Sequence, residues 1–171
     1  LDGKIATRQG DSKWISNSKS RNLVHRMRMA HHAVMVGTNT VMQDNPRLSC
    51  RLEGKKIRQP VKVILDPNLS TPKNAKLFTS SQAEIIIFTS KGMASKGDQY
   101  KQYGAKIEEV SCSKGWLNLE EILKRLGAQS ITSVLVEGGG LLGTSLLKEG
   151  LVDKMMLFAA PILIGGAEAP S

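Results

Sequence analysis

Hydrophobic and polar positions along the chain switch between two periods. Short apolar runs, such as residues 84–90 and 134–136, are typical of strands buried in a parallel sheet. Longer segments space apolar side chains three and four positions apart, as amphipathic helices do. We predict strands at 33–37, 61–67, 84–90, 105–110, 134–136 and 153–159, and the end of another at 1–6. We predict helices at 19–31, 91–103, 118–127 and 141–150.

Strands and helices alternate, so the predicted class is α/β, with a mainly parallel central sheet flanked by helices. The strand at 134–136 is expected at the buried centre of this sheet, and 105–110 at its edge. In the first helix, we expect Leu23, Val24, Met27 and Ala30 to face the core. Ligands of such sheets bind at the carboxyl ends of the strands. These ends are predicted at 37–48, 66–73, 89–91 and 137–145.

The most informative strand end is the run Glu137-Gly138-Gly139-Gly140 after the apolar residues 134–136. A helical pattern beginning at Leu141 follows, so the order is strand, glycine turn, helix. Free backbone N–H groups and the dipole at a helix N-terminus attract anions, and glycine lets a phosphate approach the backbone. The turn is not a P-loop, because no Lys-Ser/Thr pair follows. A plain tight turn is the alternative interpretation.

A second polar segment, 38–48, follows the strand at 33–37 and contains Thr40, Asp44 and an Asp-Asn-Pro turn. We regard it as a candidate site, with an Asx-turn at Asp44 as the structural alternative.

Composition narrows the classes of function. The chain has 171 residues, with a formal net charge of +9 and only 4% aromatic residues. Basic residues are scattered and have no interleaved aromatics, so an anionic small ligand explains the charge at least as well as a nucleic acid does. No apolar run of transmembrane length occurs. Cys50, Cys112 and the three histidines lack the spacing of a metal site, so we expect free thiols and no bound metal.

Six motifs together resemble the reductase domain of bifunctional riboflavin biosynthesis proteins, and the resemblance covers nearly the whole chain. These motifs are Leu-Asp-Gly-Lys-Ile-Ala at 1–6, Gly-Asp-Ser-Lys-Trp-Ile at 10–15, Val-Gly-Thr-Asn-Thr-Val at 36–41, Asp-Asn-Pro at 44–46, Val-Glu-Gly-Gly at 136–139 and Ala-Pro-Ile-Leu-Ile-Gly-Gly at 160–166. That family joins a zinc pyrimidine deaminase to a reductase of dihydrofolate-reductase-like fold. The resemblance implies NADPH-dependent reduction of the ribose of 5-amino-6-(5-phosphoribosylamino)uracil to the ribitylamino product.

The resemblance also implies roles for individual residues. Arg28 and Arg51 would bind the ribose phosphate, because a guanidinium matches phosphate geometry, and Glu137 would accept hydrogen bonds from the substrate. The positions that match substrate-binding residues are Ser12, Arg28, Leu48, Arg51 and Glu137. The positions that match cofactor-binding residues are Trp14, Thr40, Asp44, Gly139, Gly140, Leu141, Leu142, Gly143, Thr144 and Ser145.

Two roles stay open at this point. Opening of the ribose needs proton transfer, for which Asp44 is the first candidate and Lys4 and Glu137 are alternatives. The 2′-phosphate of NADPH needs hydroxyl or cationic partners. Two strand ends offer them: Ser70, Thr71 and Lys73, or Ser90 and Lys91.

The deaminase's zinc signature is absent, so we expect no deamination by this chain itself. The family's first strand should precede Leu1 and its last strands should follow Ser171, so we expect a reductase domain spanning 1–171 that is incomplete at both ends. The expected partners are a phosphorylated pyrimidine, a fused or separate deaminase domain and further copies of the chain in a homo-oligomer, with no nucleic acid and no membrane. Cytoplasmic localisation is the default expectation. A dihydrofolate-reductase-like oxidoreductase acting on another pterin or pyrimidine is the first alternative, and a nucleic-acid-binding module is the second.

Overall fold

The computed structural model describes residues 2–9, 15–52, 57–80 and 82–169. The chain divides into two compact units. One is His25–Leu151, and the other combines Leu1–Val24 with Val152–Ser171.

The larger unit is built on a five-stranded sheet in which every strand pair is parallel. The strand order is β4-β3-β2-β1-β7. The five strands are β1 (Ala33–Gly37), β2 (Val61–Leu65), β3 (Ile85–Ser90), β4 (Ala105–Val110) and β7 (Val134–Val136). A two-stranded antiparallel hairpin consists of β5 (Cys112–Ser113) and β6 (Trp116–Leu117).

Helices cover both faces of this sheet, as expected for parallel strands, which bury both faces. Val34, Val36 and Ile64 point into one core with side chains from and around α2, α3 and α4, while Met35 and Val63 point into the other with α5 and α6. The helices are α1 (Ser18–Ala30), α2 (Thr38–Asp44), α3 (Lys76–Thr79), α4 (Ala94–Lys101), α5 (Leu119–Ala128) and α6 (Gly140–Lys148).

The order of the strands reverses direction at β1. From β1 the chain adds β2, β3 and β4 on one side, and then returns to place β7 on the other. Ala33 is in register with Val61 of β2 and with Val134 of β7. The carboxyl ends of β1 and β7 therefore flank the position where connections leave in opposite directions, which is where open α/β sheets bind ligands.

The prediction of strands at 33–37, 61–67, 84–90, 105–110 and 134–136 is confirmed within two residues. β4 lies at the predicted edge. The strand at 134–136 was expected at the buried centre, and this is wrong: β7 pairs only with β1 within the described sheet and is half-buried. An apolar triplet is equally compatible with an inner strand and with an edge strand covered by helices.

Three local elements differ from the prediction. The polar segment at 38–48 begins as α2, where Thr38 donates its hydroxyl to the Leu65 carbonyl at 2.9 Å and Val41 is buried. Asp44 is the last residue of that helix and forms no Asx-turn, and the left-handed Asn45 ends it. Neither α3 nor the hairpin at 112–117 was predicted. All three elements are too short to show a hydrophobic period.

Two further expectations are wrong. No residue of α1 is fully buried, and Leu23 is exposed, so this helix does not pack its apolar positions into a core as predicted. Residues 153–159 form no strand, and Leu157 is 77% exposed. An apolar run becomes a strand only where another strand pairs with it, and the described residues of the smaller unit contain none.

The smaller unit is closed by contacts between its two chain segments. The Asp2 carboxylate accepts the backbone N–H groups of Ile164 and Gly165 at 2.8 and 2.7 Å, and Lys4 donates to the Ala169 carbonyl at 2.7 Å. The bond from Gly165, above all, holds the pKa of Asp2 below its usual value. No strand is described at residues 2–6, where the end of one was expected. None of the helices described is long and apolar enough to cross a membrane.

Candidate active site

The carboxyl ends of β1 and β7 are joined by a hydrogen bond between two predicted cofactor residues. The Thr40 hydroxyl, on the first turn of α2, accepts the Gly139 N–H at 3.2 Å. The Glu137 N–H donates to the Met35 carbonyl of β1 at 2.9 Å, so the start of the glycine turn continues the strand pairing. The two polar segments identified from the sequence therefore lie together.

The N-terminus of α6 has the geometry of an anion site. Gly139 caps the helix without any side-chain hydrogen bond, and Gly138, Gly139 and Gly140 are exposed. The first N–H groups of any helix have no acceptor within it. A Cβ added at Gly140 would meet nothing within 4 Å, so the approach to this backbone is open. The residues present fit a pyrophosphate group, because backbone donors and dipole act together here.

Side chains of the glycine segment divide between solvent and core. Leu141 is 61% exposed, whereas Leu142 packs against the core that contains Met35 and Val63. Ser145 donates its hydroxyl to the Leu141 carbonyl at 3.0 Å, which leaves its donor committed within the helix. Gly143 is half-buried and Thr144 is exposed, one turn further along α6. Only the first turn therefore offers free backbone donors.

Arg28 and Glu137 form a bidentate ion pair beside the glycine turn. Arg28 Nε and Nη2 donate to the two carboxylate oxygens of Glu137 at 2.6 and 2.5 Å, and the side chains are only 12% and 21% exposed. Arg28 Nη1 also donates to the Ser49 carbonyl at 2.9 Å. The guanidinium predicted to bind phosphate is thus already neutralised by a carboxylate.

The segment from Leu48 to Arg51 lies next to this ion pair. Leu48 is 1% exposed and has a φ of 53°, so its side chain is anchored in the core while the backbone turns in the left-handed region. Arg51 is exposed, and among the described residues its guanidinium has no ion-pair partner. Arg51 is therefore the better candidate for a free cation at this site.

His25 contacts the same segment from α1. Its Nδ1 accepts the Arg51 N–H at 3.3 Å, and its carbonyl accepts the Cys50 thiol at 3.0 Å. Burial lowers the pKa of His25, and the positive charges of Arg28 and Arg51 lower it further, against an opposing effect of Glu137. The lowered pKa favours the neutral imidazole, whose Nδ1 accepts the hydrogen bond. Burial also raises the pKa of the Cys50 thiol, which stays protonated as a donor.

Two residues, one within this segment and one paired with it, were not predicted. The Ser49 hydroxyl oxygen is buried without a hydrogen-bond partner among the described residues. Gln59 pairs with the backbone of Cys50 through both ends of its carboxamide. Nothing in the sequence marks either residue, because their contacts depend on the fold.

The remaining predicted residues are placed as follows. Asp44 is exposed at the end of α2. Lys4 belongs to the smaller unit and is held by Ala169. Ser12 and Trp14 lie outside the described residues. The roles assigned to all these residues stay predictions.

At the end of β2, the carboxylate of Asp66 organises one of the two loops considered for the 2′-phosphate. It accepts both the backbone N–H and the hydroxyl of Ser70 and of Thr71, at 2.7–3.1 Å. Both hydroxyl hydrogens are therefore committed to Asp66. At the end of β3, Lys91 is exposed and Ser90 is half-buried. Among the described residues, both loops keep an exposed lysine without an ion pair, Lys73 after β2 and Lys91 after β3, but only the loop after β3 keeps an uncommitted hydroxyl beside it.

The chain matches known proteins along its entire length. The family model described as "RibD C-terminal domain" matches residues 1–171. The riboflavin biosynthesis protein RibD of Bacillus amyloliquefaciens is 41% identical over 172 residues, which are 100% of this chain and 46% of that protein. The chain therefore spans about half the length of such curated relatives.

Two further relatives carry more specific names. The 2,5-diamino-6-ribosylamino-4(3H)-pyrimidinone 5′-phosphate reductase of Methanothermobacter thermautotrophicus is 34% identical, over 99% of this chain and 77% of that protein. A Thermotoga maritima crystal structure, titled a diaminohydroxyphosphoribosylaminopyrimidine deaminase/5-amino-6-(5-phosphoribosylamino)uracil reductase, is 41% identical with a TM-score of 0.72. The match covers 87% of this chain and 39% of that one.

Proposed function

Because the chain belongs to the RibD C-terminal domain family, we propose that it reduces a phosphoribosylamino-pyrimidine with NADPH in riboflavin biosynthesis. The expected fold, a dihydrofolate-reductase-like parallel sheet flanked by helices, agrees with the observed one. The reaction converts the ribose of 5-amino-6-(5-phosphoribosylamino)uracil to the open ribityl chain. The observation that carries the proposal is the meeting of two features at the β1–β7 switch point: an open helix N-terminus and a basic, carboxylate-containing cluster.

The proposed cofactor site is the first turn of α6. Backbone N–H groups from Gly140 onward would hold the pyrophosphate, and Thr40 fixes the glycine turn from the side of β1. NADPH supplies a hydride when it is bound. The Lys91 end of β3 is our candidate for the 2′-phosphate, because the hydroxyls of Ser70 and Thr71 are engaged by Asp66.

The proposed substrate site is the cluster of Arg28, Glu137 and Arg51. Glu137 is oriented by two hydrogen bonds from Arg28, and its remaining lone pairs can accept hydrogen bonds from a pyrimidine. Arg51 binds the ribose phosphate as the cation that no carboxylate of the described residues neutralises. Arg28 contributes by fixing Glu137 and the Ser49 carbonyl, which changes its predicted role from direct contact to positioning.

The proton needed for ring opening is assigned to Asp44. The bond between C1′ and the ring oxygen must break, to give an imine or an equivalent electrophile at C1′, before hydride can add there, and the departing oxygen must gain a proton. Asp44 is exposed at the end of α2, the helix that also carries Thr40, whereas Glu137 is engaged by Arg28. Asp44→Asn should lower kcat about 100-fold, the usual contribution of a general acid, with little change in KM. An unchanged kcat would remove Asp44 from the chemistry.

The test of the whole proposal is NADPH oxidation with the phosphoribosylamino-pyrimidine as substrate and its dephosphorylated analogue as control. We expect a kcat/KM well above that of the dephosphorylated analogue, and a ribityl product by mass spectrometry. Absence of turnover in folded protein that binds NADPH would refute the substrate. We also propose that the reductase works beside a deaminase in one longer chain, because the Bacillus relative is about twice as long.

A further inference from the structure

The backbone from Ser49 to Arg51 is fixed by three side chains, two from α1 and one from the segment before β2. Arg28 donates to the Ser49 carbonyl, and the His25 Nδ1 accepts the Arg51 N–H. Between them, Gln59 makes two bonds to Cys50: its Oε1 accepts the Cys50 N–H at 2.8 Å and its Nε2 donates to the Cys50 carbonyl at 2.9 Å. The carboxamide thus pairs with one residue as a neighbouring strand would.

Gln59 is itself held by the sheet. Pro60 follows it with a fixed φ, and Val61 begins β2, where its N–H donates to the His32 carbonyl at 2.9 Å. Pro60 is buried and Gln59 is half-buried. The carboxamide that defines where Cys50 lies is therefore attached to the chain two residues before β2 begins.

The two bonds from Gln59, together with the burial of the Cys50 side chain, fix the position of Cys50. Its side chain is 3% exposed, and its thiol donates to the His25 carbonyl. The position of Cys50 fixes the Cα of its neighbour Arg51, whose exposed side chain reaches from that point. A guanidinium selects a phosphorylated ligand over an unphosphorylated one only if the backbone that carries it is fixed. Displacements of about 1 Å are enough to weaken bidentate contacts.

We propose that Gln59 is a positioning residue that places Arg51 and thereby sets the preference for a phosphorylated substrate. This inference rests on the function proposed above. Gln59 touches neither substrate nor cofactor in this account, and acts only through the backbone of Cys50 and Arg51.

The test compares Gln59→Met with Gln102→Met. Methionine matches the length of glutamine and adds no charge, but it cannot pair with Cys50. Gln102 is an exposed glutamine at the end of α4, and its amide donates to the nearby Gln99 carbonyl at 3.1 Å. For Gln59→Met we expect KM for the phosphorylated substrate to rise about tenfold, because the phosphate contact of Arg51 loses its fixed geometry. We expect kcat, and kcat/KM for the dephosphorylated analogue, to stay near wild type, and Gln102→Met to change nothing.

An equal loss for both substrates, or a lower kcat without a change in KM, would overturn the inference, since a general structural role gives that result. Gln59→Asn is the second variant should Gln59→Met fail to fold. It keeps the amide but is one methylene too short to span both bonds, so the same selective rise in KM is expected.

Calorimetric binding of ribose 5-phosphate separates this inference from the proposed function. If the wild-type protein binds ribose 5-phosphate about tenfold more tightly than Gln59→Met, the inference stands even where no pyrimidine turns over. Equal affinities, or no binding by the wild-type protein, would overturn it, while turnover by the wild-type protein would still support the reductase.

Discussion

At the scale of single residues, the two arginines of the site differ in what neutralises them. Arg28 is largely buried and gives three donors to Glu137 and Ser49, whereas Arg51 is exposed. A half-buried carboxylate that loses its partner retains its desolvation cost, while an exposed cation can be removed without leaving an unpaired group. The two residues should therefore respond differently to the same substitution.

The variants Arg28→Met and Arg51→Met test this difference. We expect Arg28→Met to lower the free energy of unfolding by about 2 kcal/mol, because Glu137 loses charged hydrogen bonds. Arg51→Met should leave stability unchanged and raise KM for the phosphorylated substrate by roughly 10- to 100-fold. Urea denaturation and steady-state kinetics measure the two effects. Equal stability losses in both variants would contradict the division of roles.

Glu121, on the face of the sheet opposite α2, gives a prediction about pH. Its carboxylate accepts the Ser111 hydroxyl at 2.6 Å, the Ser111 N–H at 2.9 Å and Arg125 Nη2 at 2.7 Å. These bonds, with the Ser111 hydroxyl first, lower the pKa of Glu121 to about 2 from an ordinary value of 4.5. Since the folded pKa lies below the unfolded one, the carboxylate stabilises the fold above pH 4.5, and this stabilisation is lost as the pH falls towards 2.

We therefore expect Glu121→Gln to have a lower urea midpoint of unfolding than wild type at neutral pH. The difference between the two midpoints should narrow as the pH falls below 4.5. The matched control is Glu120→Gln, which removes an exposed ion pair with Lys124. Its urea midpoint should differ much less from that of wild type at neutral pH. If the difference in urea midpoint between Glu121→Gln and wild type is independent of pH, the hydrogen bonds of Glu121 do not depend on the charge of its carboxylate.

At the scale of elements, the first turn of α6 combines a structural weakness with a proposed binding role. Gly140 occupies a helical position, where glycine is less favourable than alanine, yet no neighbouring atom requires its small size. Gly127 in α5 has the same open surroundings. If the glycine at α6 serves only the fold, both positions should behave alike on substitution.

We expect Gly127→Ala and Gly140→Ala to raise the free energy of unfolding by about 0.5–1 kcal/mol each. Gly140→Ala should also weaken NADPH binding about tenfold, because its methyl group occupies the space through which a phosphate reaches the backbone. Gly127→Ala should leave NADPH binding unchanged. Fluorescence titration with NADPH measures this, and unchanged affinity in Gly140→Ala would identify the glycine segment as a plain turn.

A helix or strand could be predicted from the sequence where its apolar or capping residues form a recognisable pattern over enough positions. The strand at 85–90 buries five of its six side chains, and α5 carries Asn118 as an N-cap that accepts the Glu121 N–H, so both were found. The seven-residue α2 was missed because its only fully buried side chains are Thr38 and Val41. The run at 153–159 was wrongly predicted as a strand, because sequence shows apolar character but not the presence of a partner strand.

At the scale of the whole molecule, the sheet topology explains why distant segments form one site. Residues 28, 40, 51 and 137–140 come together because β7 returns to the side of β1 opposite β2. The sequence alone predicts a ligand at several strand ends, and only the strand order distinguishes the end between β1 and β7 from the others. The pairing of Arg28 with Glu137, across 109 positions, could not be predicted for the same reason.

This topology predicts where NADPH should protect the backbone. Binding to the folded state alone stabilises it by about 2.7 kcal/mol at a ligand concentration 100 times Kd. Local protection should exceed this global effect at the first turns of α2 and α6, which meet through Thr40 and Gly139, and should be absent from α5, which contributes no residue to the proposed cofactor site. Hydrogen exchange with and without NADPH measures this pattern, with Gly140→Ala as the control variant. Protection concentrated at α5, or spread evenly over all helices, would place the cofactor elsewhere or show only general stabilisation, because a ligand at the switch point contacts those two helix starts first.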